Sequence, residues 1–266
     1  MSFITLGHGP IEYQLFGDTD PRVATLVMLH EGLGSVAMWR DFPQKLADSL
    51  RLRVLVYSRQ GYGQSAPLAA PRTVSYMHDE ALIVLPQLLQ RLHIERPLLF
   101  GHSDGGSIAL IHASSNPVRG VIALAPHVFV EDLSVKSIAA ARLTYESTNL
   151  RERLARYHTD VDGVFWGWND IWLHPDFRGW NIEALLPNIQ SPVLVIQGQQ
   201  DEYGTEKQLR AIARGAGDVK LALLPNCGHS PHRDQPTQVL EVVRTWMNTK
   251  FECCYNCHFD PSGTGI

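Results

Sequence analysis

The 266-residue chain has little from which a cross-linked or membrane-spanning protein could be built. Of its four cysteines, Cys253, Cys254 and Cys257 fall at the very end, so no disulfide framework runs through the body of the fold. No stretch approaches the roughly 20 consecutive apolar residues of a membrane span. The opening MSFITLGHGPIEYQ also lacks a basic segment followed by an apolar one. Charge is not gathered into runs: 23 basic against 27 acidic residues leave a net of −4, with no basic stripe for nucleic acid or a lipid surface. No phosphate loop and no Gly-x-Gly-x-x-Gly follows the first long apolar run, and metal-ligand spacing is missing outside the tail. Together these absences predict a soluble, cytoplasmic protein with no cofactor, no metal and no nucleic-acid partner. With 44% hydrophobic residues it is held together by burial in one domain. Nothing in the pattern specifies an oligomeric state.

The tail FECCYNCHFDPSGTGI breaks with what precedes it. Cys254-Tyr-Asn-Cys257-His258 has the spacing of covalent haem attachment and contains zinc-ligand types, but haem attachment needs export. The expectation for residues 249–266 is a disordered extension, a cloning or reading-frame remnant.

What the chain does have is a regular series of short apolar runs: Ala24 to Leu29, Leu52 to Tyr57, Pro97 to Phe100, Val118 to Ala125, Pro192 to Ile196 and Val219 to Leu224. Each is continuous rather than alternating, which predicts parallel strands buried on both faces. Between them, Asp79 to Leu92, Gly106 to Ser114, Glu206 to Ala213 and Pro236 to Met247 have helical spacing. Strand alternating with helix predicts an α/β domain over 1–248, its mostly parallel sheet covered by helices on both faces. Phe3 to Leu6 and Tyr13 to Phe16 read as an antiparallel hairpin at the sheet edge. The alternation lapses over about 127–187, where Phe165, Trp166, Trp168, Trp172, Phe177 and Trp180 gather. This is a helical insertion, a cap, whose rings form either its own small core or the roof of a pocket.

Ligands of open parallel sheets sit beyond the carboxyl ends of the strands, and the chemistry-bearing residues fall in those loops. After the run at Leu98 comes Gly101-His-Ser103-Asp-Gly105, a Gly-x-Ser-x-Gly turn between strand and helix. Its glycines leave room for a serine held in a strained backbone. A serine hydroxyl needs a base and a group that orients the base. Gly198-Gln-Gln-Asp201 follows one later strand and Asn226-Cys-Gly-His229-Ser-Pro-His232 the next. Glu202 and His232 are the rival acid and base.

The whole set resembles the α/β-hydrolase superfamily over roughly residues 10–247, and within it the small single-domain serine esterases and the biphenyl-hydrolase-like branch. That resemblance implies an α/β-hydrolase fold with Ser103 as nucleophile, His229 as base and then acid, and Asp201 fixing the imidazole. It implies backbone N–H donors for an oxyanion from Asp104 and from the loop His30-Glu-Gly-Leu-Gly34. There Glu31 stands where relatives carry glycine, and register assigns the N–H to Gly32. Glu31, Trp168 and Trp172 are candidate substrate contacts. The carboxylates of Glu31 and Asp104 either serve their own loop and helix end, as the helix dipole favours, or select for cationic substrates. Arg59, Tyr62 and His30 read as structural, His102 as filling a variable position, and Cys227 as inert.

The expected activity is hydrolysis of a small carboxylic ester through an acyl-enzyme. Thioester or carbon–carbon bond hydrolysis by the same residues is an alternative, as is a lyase, a cofactor-free oxygenase or a ligand receptor on this fold.

Overall fold

The computed structural model describes residues 1–7, 9–20 and 23–255, the last four by their backbone alone. Strands β1 (Ser2–Leu6) and β2 (Gly9–Gly17) form the edge hairpin, followed by β3 (Thr25–Leu29), α1 (Phe42–Leu50) and β4 (Arg53–Tyr57). Helix α2 (Tyr76–Asp79) runs through a π turn at Glu80–Val84 into α3 (Leu85–Arg91). The π turn has a local cause: Pro86 cannot donate and its ring crowds the carbonyl four residues back, so the ladder widens just before it. Then come β5 (Leu98–His102), α4 (Asp104–Ala113) and β6 (Gly120–Leu124). Between β6 and β7 (Val193–Gly198) lie α5 (Asp132–Ser147), α6 (Leu150–Leu154), α7 (Val161–Leu173) and two 3-10 turns, with an isolated antiparallel bridge between Phe129 and Asn181. The chain closes with α8 (Glu206–Gly215), β8 (Val219–Leu224), α9 (Pro231–Asp234) and α10 (Pro236–Tyr255). Helix α10 thus continues past Met247, where the spacing stopped, into the segment expected to fray. Cys257 and His258 lie outside the described residues.

The eight strands are ordered β1-β2-β4-β3-β5-β6-β7-β8, antiparallel at the hairpin and parallel from β4 through β8. Alternate side chains of one strand enter different cores. Val27, Leu55, Val121 and Val195 join the core under α3, α4 and the insertion, while Leu26, Val54, Ile122 and Leu194 join the one under α1 and α10. This is why the inner strands read as unbroken apolar runs. Strand β8 departs from the expectation: as the sheet edge it leaves Lys220 and Leu221 exposed. Helix α4 is buried along its whole length, between the sheet and the helices above it, so it carries no polar stripe. The nucleophile turn is therefore anchored to one of the most deeply enclosed helices in the fold.

Candidate active site

Parallel pairing brings the loops after β3 to β8 to one end of the sheet, and the predicted residues meet there. Ser103 turns the chain from β5 into α4 at φ 52°, a strained conformation for a residue with a side chain. Close approach explains its flanking glycines: a Cβ on Gly101 would lie 2.1 Å from the Gly105 carbonyl oxygen, and one on Gly105 2.1 Å from that of Leu29. Any side chain at either position would push α4 away from the strands and move the serine.

The Ser103 hydroxyl lies 2.9 Å from His229 Nε2, and His229 Nδ1 lies 2.8 Å from Asp201 Oδ1. Because a carboxylate only accepts, Nδ1 carries the proton and Nε2 is left to accept from Ser103. Asp201 is itself fixed by the Tyr203 N–H at 2.8 Å and the Gln197 amide at 3.1 Å. Burial works against a charged His229, yet the hydrogen bond and charge of Asp201, with Glu202 and Glu31 nearby, raise its pKa above the ordinary value. Burial would raise Asp201, but its bond to His229 leaves it below the usual carboxylate range. The rivals fall elsewhere. Glu202 accepts the His229 backbone N–H, and His232 is buried against Trp39 and Phe42, where burial drives it down to about 3.

Of the two expected N–H donors, Asp104 directly follows Ser103 and Gly32 lies in the loop after β3. Neither the Gly32 nor the Asp104 N–H donates to another group among the described residues. The Gly32 loop is braced on several sides: His30 Nδ1 bonds the Glu31 carbonyl at 2.6 Å, and His30 Nε2 accepts the Arg59 N–H. Burial and the Arg59 charge keep that imidazole neutral. His158, from the helical insertion, donates through Nε2 to the Leu33 carbonyl at 2.9 Å. Glu31 turns its carboxylate onto the Leu33 N–H and stands 3.9 Å from Arg233, so it serves its own loop.

The Asp104 side chain answers the question of its role. It is fully buried, accepting from the Tyr76 hydroxyl at 2.8 Å and the Trp172 indole at 3.2 Å, with Arg59 at 3.9 Å. Each oxygen already accepts a hydrogen bond and neither is exposed, which favours a structural role over contact with a substrate. Trp172, expected as a substrate contact, is instead a buried buttress of Asp104. Trp168, one helical turn before it on α7, lays its indole against Gly32. The remaining rings largely pack on one another, Tyr145 stacking on Phe165 at 3.7 Å and Phe177 on Trp180 at 5.5 Å. They are continuous with the core under α3 and α4 rather than a separate core of the insertion.

His102 does more than fill a variable position: its Nε2 donates to the His229 carbonyl at 2.7 Å, tying the nucleophile turn to the histidine loop. That link and the one from His158 to Leu33, which join residues 127 and 125 positions apart, escaped the sequence, as did the bond from Tyr76 to Asp104 across 28. A surface groove of about 730 Å³ lined by Arg178, Lys207, Arg210 and Arg214 touches none of the Ser–His–Asp chain. Ser103 itself is nearly sealed, 6% exposed. Among the described residues no three His, Cys, Asp or Glu side chains are placed to hold a metal, and no helix is long and apolar enough to cross a membrane.

A strained serine between strand and helix, with acid and histidine on the loops after β7 and β8, defines the class of α/β-hydrolase folds. The chain matches the model of the Alpha/beta hydrolase family over residues 26–242 and belongs to that family of hydrolytic enzymes. It is 30% identical to "Putative carbamate hydrolase RutD" of Stutzerimonas stutzeri (strain A1501), over 83% of this chain and 90% of the relative. With a 2-hydroxy-6-oxononadienedioate/2-hydroxy-6-oxononatrienedioate hydrolase of Pseudomonas putida it shares 24% identity, over 85% of this chain and 89% of that protein. Among solved structures, the enol-lactonase from Burkholderia xenovorans LB400 superposes with a TM-score of 0.72 at 21% identity, covering 93% of this chain and all of the other.

Proposed function

We propose that the protein hydrolyses a small carboxylic ester through a covalent acyl-enzyme on Ser103. The observation that carries this reading is the continuous hydrogen-bonded chain from Ser103 through His229 to Asp201, beside two undonated N–H groups. In the first half-reaction His229 Nε2 takes the hydroxyl proton as Ser103 Oγ bonds to the acyl carbon. The oxyanion is met by the Gly32 and Asp104 N–H groups, the kind of donor worth about two to three orders of magnitude in rate. The imidazolium then protonates the departing alkoxide. In the second half-reaction His229 deprotonates water, which attacks the acyl-enzyme; the bond to Ser103 Oγ breaks, the imidazolium returns its proton to that oxygen, and the acid is released. Asp201 keeps Nδ1 protonated throughout, so Nε2 always faces the serine.

By their names, the two relatives are a putative carbamate hydrolase and a 2-hydroxy-6-oxononadienedioate/2-hydroxy-6-oxononatrienedioate hydrolase, and the structural neighbour is an enol-lactonase; these are all hydrolyses at a carbonyl carbon. That chemistry supports the acyl-transfer reading and keeps thioester and carbon–carbon cleavage as the second one. The test is a screen across acyl chain lengths, aryl esters, thioesters, amino-acid esters and a ring-fission diketone, with Ser103→Ala as the blank. Turnover of a short ester that vanishes in the blank is expected. Turnover of the diketone alone would favour the second reading, and none above the blank would contradict both.

A further inference from the structure

Arg59 is a cation with its side chain only 1% exposed, and a charge so placed is costly unless it is paired and hydrogen-bonded. Its two terminal nitrogens converge on the oxyanion loop and the nucleophile turn, while Nε is buried without a hydrogen-bond partner among the described residues. Nη1 donates to the His30 carbonyl, Nη2 donates to the Glu31 carbonyl at 3.1 Å, and Nη2 also stands 3.9 Å from the Asp104 carboxylate. The guanidinium lies over the Tyr62 ring at 4.9 Å, with Arg72 at 4.9 Å from the same ring.

The Glu31 carbonyl belongs to the peptide unit whose N–H is that of Gly32. No peptide bond in the described chain is cis, and across a planar trans peptide C=O and N–H point in opposite directions. Drawing the Glu31 oxygen toward Arg59 therefore aims the Gly32 N–H away from it. His30 and the Gly34 N–H hold the same oxygen, and Arg59 adds the only charge among its donors. The other donor, the Asp104 N–H, belongs to the residue whose carboxylate pairs with this guanidinium. One side chain thus reaches the peptide unit that carries the Gly32 N–H, through its Glu31 carbonyl, and the carboxylate of Asp104.

We propose that Arg59 is the positioning residue of the oxyanion hole, setting the Gly32 N–H through the Glu31 carbonyl and the start of α4 through Asp104. The inference rests on the acyl-transfer reading given above. A lysine is a point charge without the planar fork and cannot serve two carbonyls and a carboxylate together.

The experiment measures Arg59→Lys on the best ester substrate, alongside two inhibitors of matched size. One is a trifluoromethyl ketone, which adds to the serine as an alkoxide; the other is an amide that binds without reacting. Expected is a fall in kcat of about 10- to 100-fold with KM within about threefold, short of or equal to the loss of a whole donor. Affinity for the trifluoromethyl ketone should fall by the same factor while the amide binds as before. A folded variant with kcat and ketone affinity within about twofold of the parent overturns the inference, as does equal weakening of both inhibitors.

Should Arg59→Lys not fold, the isosteric Asp104→Asn decides by the same split, with kcat about tenfold down and KM held. Where both fold, the double variant should be no worse than the worse single one, because one device has been broken twice. Multiplied losses would contradict that. Fluorophosphonate labelling of the parent at Ser103 separates the two failures: an unlabelled parent sinks the acyl-transfer reading, and a labelled parent with an indifferent Arg59→Lys sinks only this one.

Discussion

Gly32→Ala tests whether the space beside the oxyanion loop is truly occupied by the insertion. A methyl built there would lie 2.1 Å from Trp168 Nε1 and 2.2 Å from its Cδ1. Carbon contacts settle at about 3.5–4.0 Å, so the indole and the loop must separate by about 1.5 Å. Trp168 is only 7% exposed and packs edge-on to Phe165, which leaves it little room to retreat. Overpacking of this kind costs about 1–3 kcal/mol, and if the loop yields instead, the Gly32 N–H loses its aim. Expected is a fall in urea-unfolding free energy within that range, together with a kcat loss of up to about 10²–10³, the worth of one donor. Trp168→Ala by itself should cost about 3–5 kcal/mol. Adding Gly32→Ala to it should then cost almost nothing, because the methyl enters the space the indole left. Strict additivity in that cycle, or a Gly32→Ala protein of parental stability and kcat, would refute the packing argument.

Other outcomes follow from the same geometry. Since His229 must be neutral to accept the serine proton and its pKa is raised, kcat/KM should fall as pH drops through a value above the ordinary 6.5. Glu202→Gln removes one of the charges that raise it, so a pH–rate profile of that variant should show the acid limb moved to lower pH. Asp201→Asn should lower kcat by about four orders of magnitude without shifting the urea midpoint much, because the wrong imidazole tautomer faces Ser103. In Asp104→Asn, rates on cationic, neutral and anionic esters of equal size should keep the parental ratios, the carboxylate being spent on Tyr76 and Trp172. A changed ratio would return Asp104 to the substrate site.

Much of this architecture was legible because buried parallel strands must be apolar on both faces, so the six runs from Ala24 to Leu224 stand out in the chain. Ser103, Asp201 and His229 were legible for a different reason: the strand ends limit where they can stand, and tight turns demand recognisable glycines. What the sequence hid depends on long-range partners. The Asp104 carboxylate is decided by Tyr76 and by Trp172, 68 positions away, and nothing local separates a buried carboxylate from one facing a substrate. His102 looked idle because its partner is the backbone of residue 229. The π turn before Pro86 broke a helical pattern that hydrophobic spacing alone could not resolve. Arg59, set aside as structural, reaches the Glu31 carbonyl and the Asp104 carboxylate, contacts that no local pattern announces.

The central claim is that Ser103, made nucleophilic by His229, takes the acyl group. Incubation with a fluorophosphonate probe, followed by peptide mass mapping, tests it without knowledge of the substrate. The account predicts a single phosphonyl adduct on Ser103, formed faster as pH rises through the His229 pKa and absent from Ser103→Ala. A natively folded parent that stays unlabelled, or carries the label on another serine, would contradict it.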